Sequence, residues 1–355
     1  MGDQKVYRAI GLMSGTVLDG EIDVALLETD GQGYVDVKEF YAHPYDKSVR
    51  EKVRACFGKY ERDALVDEAD ALVTDVHIDA LKASGFEADI IGFHGQTITH
   101  APDEAFTWQI GDGARLAKSC SMAVVSDMRQ ADIKAGGQGA PLLPLYHAAR
   151  LSMHKEPIAV LNLGGVSNIT YIDNPVQEII AFDCGPGNAL MDDYMRVNLG
   201  KDYDEGGAYA ASGTVSEALV ERYLEDEYFA LMPPKSLDRN HWDLSLVAGL
   251  PEADAMATLL KISVLAIKQG VKMLPRPVHT VYVCGGGRKN AALMMRLSKW
   301  LGEVRAVEDI GWNGDATEAE GFAYLAVRSL LGLPLTLPST TGVAKPLTGG
   351  VLHKP

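Results

Sequence analysis

Three glycine turns, each directly after an apolar run, are the first chemically suggestive feature of this sequence. They are Gly15-Thr16 with Asp19-Gly20, Gly164-Gly165, and Gly285-Gly286-Gly287. With no Cβ in the way, backbone N–H groups of such turns can approach phosphate oxygens. A single turn of this kind is more often a plain strand connection. Three of them in a repeated frame point to the phosphates of a nucleotide. Asp19 is placed either to orient a hydrated Mg²⁺ or to bond the backbone of its own turn.

Asp183 is the most pointed candidate for a catalytic group. It is expected to end a strand and precedes Cys184-Gly185-Pro186-Gly187-Asn188, with a helix opening at Asn188 as N-cap. A carboxylate beside an anion-friendly helix start is well placed to take a proton; the alternative is a loop-cap aspartate. His94 in Phe93-His94-Gly95-Gln96-Thr97 falls at the carboxyl end of a strand, where α/β sheets put ligand contacts, and a structural hydrogen-bonding role is preferred for it. Arg129 and Asp132 precede the run Ala135-Gly136-Gly137-Gln138-Gly139-Ala140-Pro141, either a hinge or substrate loop or a surface connection. Glu318 and Glu320 open a predicted helix, and for Glu320 the expected role is a first-turn acid favoured by the helix dipole. No GxxxxGK[ST], HExxH or GxSxG motif occurs.

These residues must be positioned by α/β elements. Val6–Met13 reads as a buried strand. Ile22–Leu27 and Tyr34–Phe40 continue it through glycine turns as an antiparallel meander. Asp63–Ala83 has helical spacing and stops at Ser84-Gly85, and Ile90–Phe93 and Met122–Ser126 are short strands. The opening pattern then returns, with Ile158–Leu163, Val166–Ile172 and Ile179–Phe182 forming a second meander broken at Gly164-Gly165. Helices follow at Ala255–Leu274, Asn290–Leu301 and Thr317–Leu331, with a strand at His279–Val283. A repeated meander predicts two related α/β domains. The expected boundaries are 1–130 and 131–340, with 341–355 packing back on the first.

The composition narrows the function classes. The 355 residues include 33 Lys and Arg against 48 Asp and Glu, a net charge of −15. That balance argues against duplex nucleic acid or an anionic membrane as a partner. Cys56, Cys120, Cys184 and Cys284 show no CxxC pairing, which suits neither zinc nor a disulfide framework and predicts reduced thiols. Met1–Ile10 has no apolar core of signal-peptide length, and no apolar run approaches the about 18 residues of a membrane helix. A cytoplasmic protein is expected.

The motifs together resemble the anhydro-N-acetylmuramic acid kinase family. The resemblance rests on Gly11-Leu12-Met13-Ser14-Gly15-Thr16 with Leu18-Asp19-Gly20, Phe93–Thr97, Gly136–Pro141, Leu161–Thr170, Phe182–Asn188, Gly285–Gly287 and Glu318–Ala323. It spans nearly the whole chain, in order. It implies the sugar kinase, Hsp70 and actin superfamily: an α/β fold of two ribonuclease-H-like domains around an ATP cleft. It further implies ATP and Mg²⁺, 1,6-anhydro-N-acetylmuramic acid as small-molecule substrate, N-acetylmuramic acid 6-phosphate as product, and a homodimer. Carried over residue by residue, it makes Asp183 the catalytic base. Gly15, Thr16, Val17, Leu18, Asp19, Gly20, Gly164 and Gly165 become phosphate-side ATP contacts. Gly285, Gly286 and Gly287 lie near the adenosine, and Thr97, Arg129 and Glu318 are sugar contacts.

Three departures from the family pattern stand out. Val17 occupies a position where a serine is usual and Glu21 reads as a one-residue insertion, which a β-bulge could absorb. Cys184 replaces a Thr or Ser, and Gln130 and Ala131 stand where arginines are common. Two rival readings are an amino-sugar kinase acting on a free hydroxyl and a non-catalytic nucleotide-driven clamp.

Overall fold

The computed structural model describes residues 5–355. Its strands, in chain order, are β1 (Tyr7–Met13), β2 (Glu21–Thr29), β3 (Val35–Pro44), β4 (Ile90–Phe93), β5 (Gln96–Ala101), β6 (Phe106–Ile110), β7 (Ala123–Ser126), β8 (Ile158–Leu163), β9 (Val166–Asp173), β10 (Glu178–Pro186), β11 (Thr280–Cys284), β12 (Glu303–Ala306) and β13 (Val351–His353). They fall into two units, Met1–Ser152 with Ala316–Pro355, and Met153–Asp315.

In the first unit the main sheet runs β13-β7-β4-β1-β2-β3. The β1–β2–β3 meander is antiparallel, while β4 lies parallel to β1 and β7 parallel to β4. Both faces of this sheet are covered, so β1 is a nearly continuous apolar run. Successive side chains alternate between the faces. Ala9 and Met13 pack with Phe322, Ala323 and Tyr324 of the helix Thr317–Leu330. Ile10 and Leu12 pack with Ile78 and Leu81 of the helix Ala64–Ser84. That second helix has the ends its sequence predicts: Asp63 accepts from the Val66 N–H, and Gly85 takes the left-handed conformation at φ 67°.

The long-range packing explains where the units divide. At Gly11 a Cβ would stand 1.7 Å from the Ala319 carbonyl oxygen, so the helix Thr317–Leu330 lies directly on the β1 backbone. The first unit therefore takes in everything from Ala316 onward, more than the 341–355 tail expected from the sequence. It also keeps the helix Pro144–Arg150, whose Tyr146 is buried beside Tyr324, so the first crossing falls after Ser152 instead of at 130. The tail adds β13 antiparallel to β7, and His353 Nε2 meets Ser126 Oγ at 2.9 Å.

The second unit repeats the device. Its sheet runs β10-β9-β8-β11-β12, with an antiparallel β8–β9–β10 meander and β11 parallel to β8. The five-strand order is that of β3-β2-β1-β4-β7, as a duplicated ribonuclease-H-like frame requires. The core joins Leu161, Leu163, Ile169 and Val283 to the helices Ala189–Leu199, Glu252–Lys272 and Ala291–Leu301. Among the described residues, all four cysteines are free and no helix is long and apolar enough to cross a membrane.

Candidate active site

In the first unit, Ser14 to Gly20 form the turn between β1 and β2. The Leu18 N–H donates to the Gly15 carbonyl at 3.2 Å, and Leu18 takes a positive φ of 56°. Its side chain is buried with Val49, Val53, Val66 and Ile110, so Leu18 anchors the turn through the core. A Cβ on Gly15 would meet nothing closer than 4.0 Å, which leaves room for a bulky anion over the turn amides. Arg50 Nη1 donates to the carbonyls of Leu18 and Asp19 and pins the turn from its outer side.

The exposed Asp19 carboxylate accepts from the Glu21 N–H at 3.2 Å, so it does bond its own turn. Among the described residues no group of three or more His, Cys, Asp or Glu could hold a metal ion alone. The Asp19 carboxylate, exposed on this turn, is an oxygen donor of the kind a hydrated Mg²⁺ takes. Glu21 itself lies in β2 opposite Pro44, and the pairing with β3 shifts only at Leu26/Leu27, so no bulge falls at Glu21.

Arg129 and His94 form one rigid piece. His94 Nδ1 donates to the Gly95 carbonyl at 2.8 Å, which leaves Nε2 as an acceptor for Arg129 Nε and Nη2 at 3.2 and 3.1 Å. Burial first, then the Arg129 charge, push the His94 pKa well below its usual value, so the imidazole is neutral. Arg129 Nη1 donates to the Gly139 carbonyl at 2.7 Å. The glycine-rich loop is held from behind by Asp132, whose Oδ1 accepts from Gly139 N–H and whose Oδ2 accepts from Thr341 Oγ1.

The His94 ring packs on Phe322 at 4.6 Å between centroids. Glu318 lies one turn earlier on the same helix face. Thr97, on β5, accepts from Gln109 Nε2 at 3.2 Å. The first unit therefore gathers Arg129, His94 and the Glu318 end of that helix, with Thr97 on the strand that follows His94. Glu320 is the first-turn acid expected of it and is also buried: its Oε2 accepts from the Tyr146 hydroxyl and from Arg150 Nη1 at 2.9 Å.

In the second unit two glycine turns meet around Asn188. Its Nδ2 donates to the Leu163 and Gly164 carbonyls at 3.1 and 3.2 Å. The Asn188 and Ala189 N–H groups donate to the carbonyls of Gly164 and Gly165. Asn188 therefore ties the turn to the start of the helix Ala189–Leu199 but makes no side-chain cap to that helix. Gly285 sits against the same strand end: at φ 76°, its Cβ would lie 2.3 Å from Asn162 Oδ1. Gly286 alone of the three has nothing within 4 Å of a Cβ and is the exposed middle of this turn.

Asp183 lies within β10, not at its end; the strand continues to Pro186 past a register shift between Asp183 and Gly185. The carboxylate is buried and its Oδ2 accepts from the Leu237 N–H at 2.8 Å. Its N–H donates to the Lys235 carbonyl at 3.0 Å, and its carbonyl accepts from the Tyr228 hydroxyl at 2.6 Å. A fixed, buried carboxylate on a sheet strand can hold one orientation and exchange one proton. Sequence reasoning missed Tyr228 and Lys235. They lie in a stretch around Pro233-Pro234 with no periodicity and no motif, so nothing in the sequence flagged them.

The model of the anhydro-N-acetylmuramic acid kinase family matches residues 7–355 of this chain. A Rhizorhabdus wittichii protein named anhydro-N-acetylmuramic acid kinase is 48% identical, covering 98% of this chain and 99% of its own. A Rhodospirillum rubrum protein of the same name is 46% identical over 96% of this chain and 93% of its own.

Proposed function

The chain belongs to the anhydro-N-acetylmuramic acid kinase family, and from that premise we propose that it uses ATP and water to convert 1,6-anhydro-N-acetylmuramic acid into N-acetylmuramic acid 6-phosphate, a step in cell-wall sugar recycling. In this reading water attacks C1 and gives its proton to Asp183. The C1–O6 bond breaks, and O6 forms the new bond to the γ-phosphorus as ADP leaves. A glycosidase needs an acid for its leaving oxygen as well as a base. Here the phosphoryl group captures O6, so one carboxylate suffices. The observation that carries the assignment is the fixed geometry of Asp183, its carboxylate bound at Leu237 N–H and its backbone held at both ends.

The remaining roles follow the same reading. The Gly15-Thr16-Val17 and Gly164-Gly165 turns bind phosphate oxygens through backbone N–H groups, and the open Gly286 turn takes the adenosine. Arg129, pre-oriented by His94, contacts the sugar together with Thr97 and Glu318. Asp19 would help to hold a hydrated Mg²⁺, which would supply positive charge beside the phosphates. A homodimer acting in the cytoplasm completes the proposal; light scattering on the purified chain reads the dimer directly.

The deciding experiment incubates the protein with ATP and the anhydro sugar and weighs the product. A gain of phosphate plus water is expected, with the solvent oxygen at C1 when the reaction is run in ¹⁸O-water. A gain of phosphate alone, or label absent from C1, overturns the reading.

A further inference from the structure

Lys235 is a buried cation for which the reaction just described has no use. Its residue is 5% exposed. Its Nζ donates to the Tyr228 carbonyl at 2.9 Å and lies 4.3 Å from the centre of the Tyr228 ring. Its own carbonyl accepts the Asp183 N–H at 3.0 Å, and Tyr228 closes the circuit by donating to the Asp183 carbonyl at 2.6 Å. Two residues on, the Leu237 N–H binds the Asp183 carboxylate. The segment from Tyr228 to Leu237 thus clasps Asp183 at its N–H, its carbonyl and its carboxylate.

Burying an ammonium group is costly unless a nearby negative charge or a full set of acceptors offsets it. One carbonyl is not a full set for three N–H donors. Nζ itself touches Tyr228, and the backbone bonds of the clasp bring its residue against Asp183 and Cys184 of β10, the other titratable groups that act on it. Burial raises the pKa of the Cys184 thiol and of the Tyr228 phenol, so both stay protonated and neutral near pH 7. Of these groups Asp183 is the one carboxylate, held in the same clasp without a direct ion pair to Nζ among the described residues. Burial pulls Lys235 down from its usual pKa, and Asp183 acts in the opposite direction.

We infer that Lys235 is a positioning residue for the proposed base: its ammonium stabilises the ionised Asp183 carboxylate while its backbone and Tyr228 fix where that carboxylate points. This rests on the reading of Asp183 as the base. The step itself adds no chemistry, since the proton still passes from water to Asp183 and Lys235 stays protonated.

The test is the pH profile of kcat for full-length Lys235→Met and Lys235→Arg, with Asp183→Asn alongside. Removing the charge disfavours the carboxylate, so the acid limb of Lys235→Met moves to higher pH by about one unit or more. Its kcat falls on the acid limb by up to about tenfold per unit of displacement and recovers toward its plateau as pH rises above the limb, with KM for ATP unchanged. Lys235→Arg keeps the charge and keeps the limb in place. Tyr228→Phe, which removes one hydrogen bond and no charge, lowers kcat without moving the limb. A limb that stays put in Lys235→Met, or a loss equal at every pH, overturns the inference. Should Lys235→Met not fold, a limb displaced in Lys235→Arg as it would be without the charge overturns it equally. Undiminished turnover in Asp183→Asn overturns the base assignment instead, so the two failures are distinguishable.

Discussion

His94 offers Arg129 a hydrogen-bond acceptor, not a second positive charge: its Nε2 lies 3.2 and 3.1 Å from the guanidinium Nε and Nη2. Because the other ring nitrogen donates to the Gly95 carbonyl, the tautomer is fixed. His94→Phe keeps the packing on Phe322 but removes the acceptor. KM for the sugar is expected to rise about tenfold, the scale of one lost hydrogen bond to a charged group, with KM for ATP unchanged. Steady-state kinetics at saturating ATP measure this. An equal rise in both constants would show a general distortion.

The same neutral state makes the first unit sensitive to acid. His77, His100 and His147 are also held below their usual pKa, at about 4, about 3 and about 3, each first by burial. A depressed folded pKa means the unfolded chain binds the extra protons. Stability is therefore fully present above pH ~6.5 and is lost as pH falls from there toward each folded value. At pH 5 each such histidine costs about 2 kcal/mol. In His77→Leu the drop in unfolding free energy between pH 7.5 and pH 5 is expected to shrink by that amount. Urea titrations at the two pH values read it, and parallel losses in both proteins would refute it.

Glu320 and Arg150 meet at 2.9 Å with their side chains 1% and 13% exposed. Burial raises the Glu320 pKa, and bonds from Tyr146 and the Arg150 charge oppose the rise. Removing one partner of such a pair strands the other charge, so Glu320→Ala is expected to lower stability by about 3–5 kcal/mol. Glu320→Ala with Arg150→Met should cost less than the sum of the two single changes. A strictly additive double mutant in denaturant titrations would remove the coupling.

The fold was legible wherever a local pattern decides it. The two glycine-broken meanders, the helix between Asp63 and Gly85 and the motif order all stand in the sequence as spacing. Three things were not legible, for one physical reason: they depend on partners far along the chain. Gly11 is small because Ala319 lies on it. Glu320 is buried because Tyr146 and Arg150 receive it. Asp183 is clasped by a segment some fifty residues on, at |i−j| = 54 for the Leu237 bond. The core role of Leu18 was hidden for the same reason: its side chain, inside a glycine turn, packs on Val49, Val53 and Val66 far along the chain.

The third glycine turn separates packing from binding within three residues. Gly285→Ala would place its Cβ 2.3 Å from Asn162 Oδ1 at a positive φ, whereas at Gly286 a Cβ meets nothing within 4 Å. Gly285→Ala should therefore lower stability by about 1–3 kcal/mol through strain and overpacking. Gly286→Ala should leave the denaturant midpoint in place and raise KM for ATP, because the added methyl occupies space proposed for the nucleotide. If Gly286→Ala binds ATP normally, that turn does not touch the nucleotide.

Asp183→Asn is the sharpest variant because the new carboxamide can keep the Leu237 bond. Its Oδ1 can still accept that N–H, and the backbone bonds to Lys235 and Tyr228 do not involve the side-chain group that changes. What disappears is the ability to take a proton from water. Turnover is expected to fall by about 10²-fold or more, the scale of a lost general base, while ATP binding measured by calorimetry stays within about twofold. A residual rate that grows with added formate would fit an external carboxylate standing in for the missing one. Near-normal turnover would mean that water is deprotonated elsewhere and that the clasp around Asp183 holds a structural carboxylate.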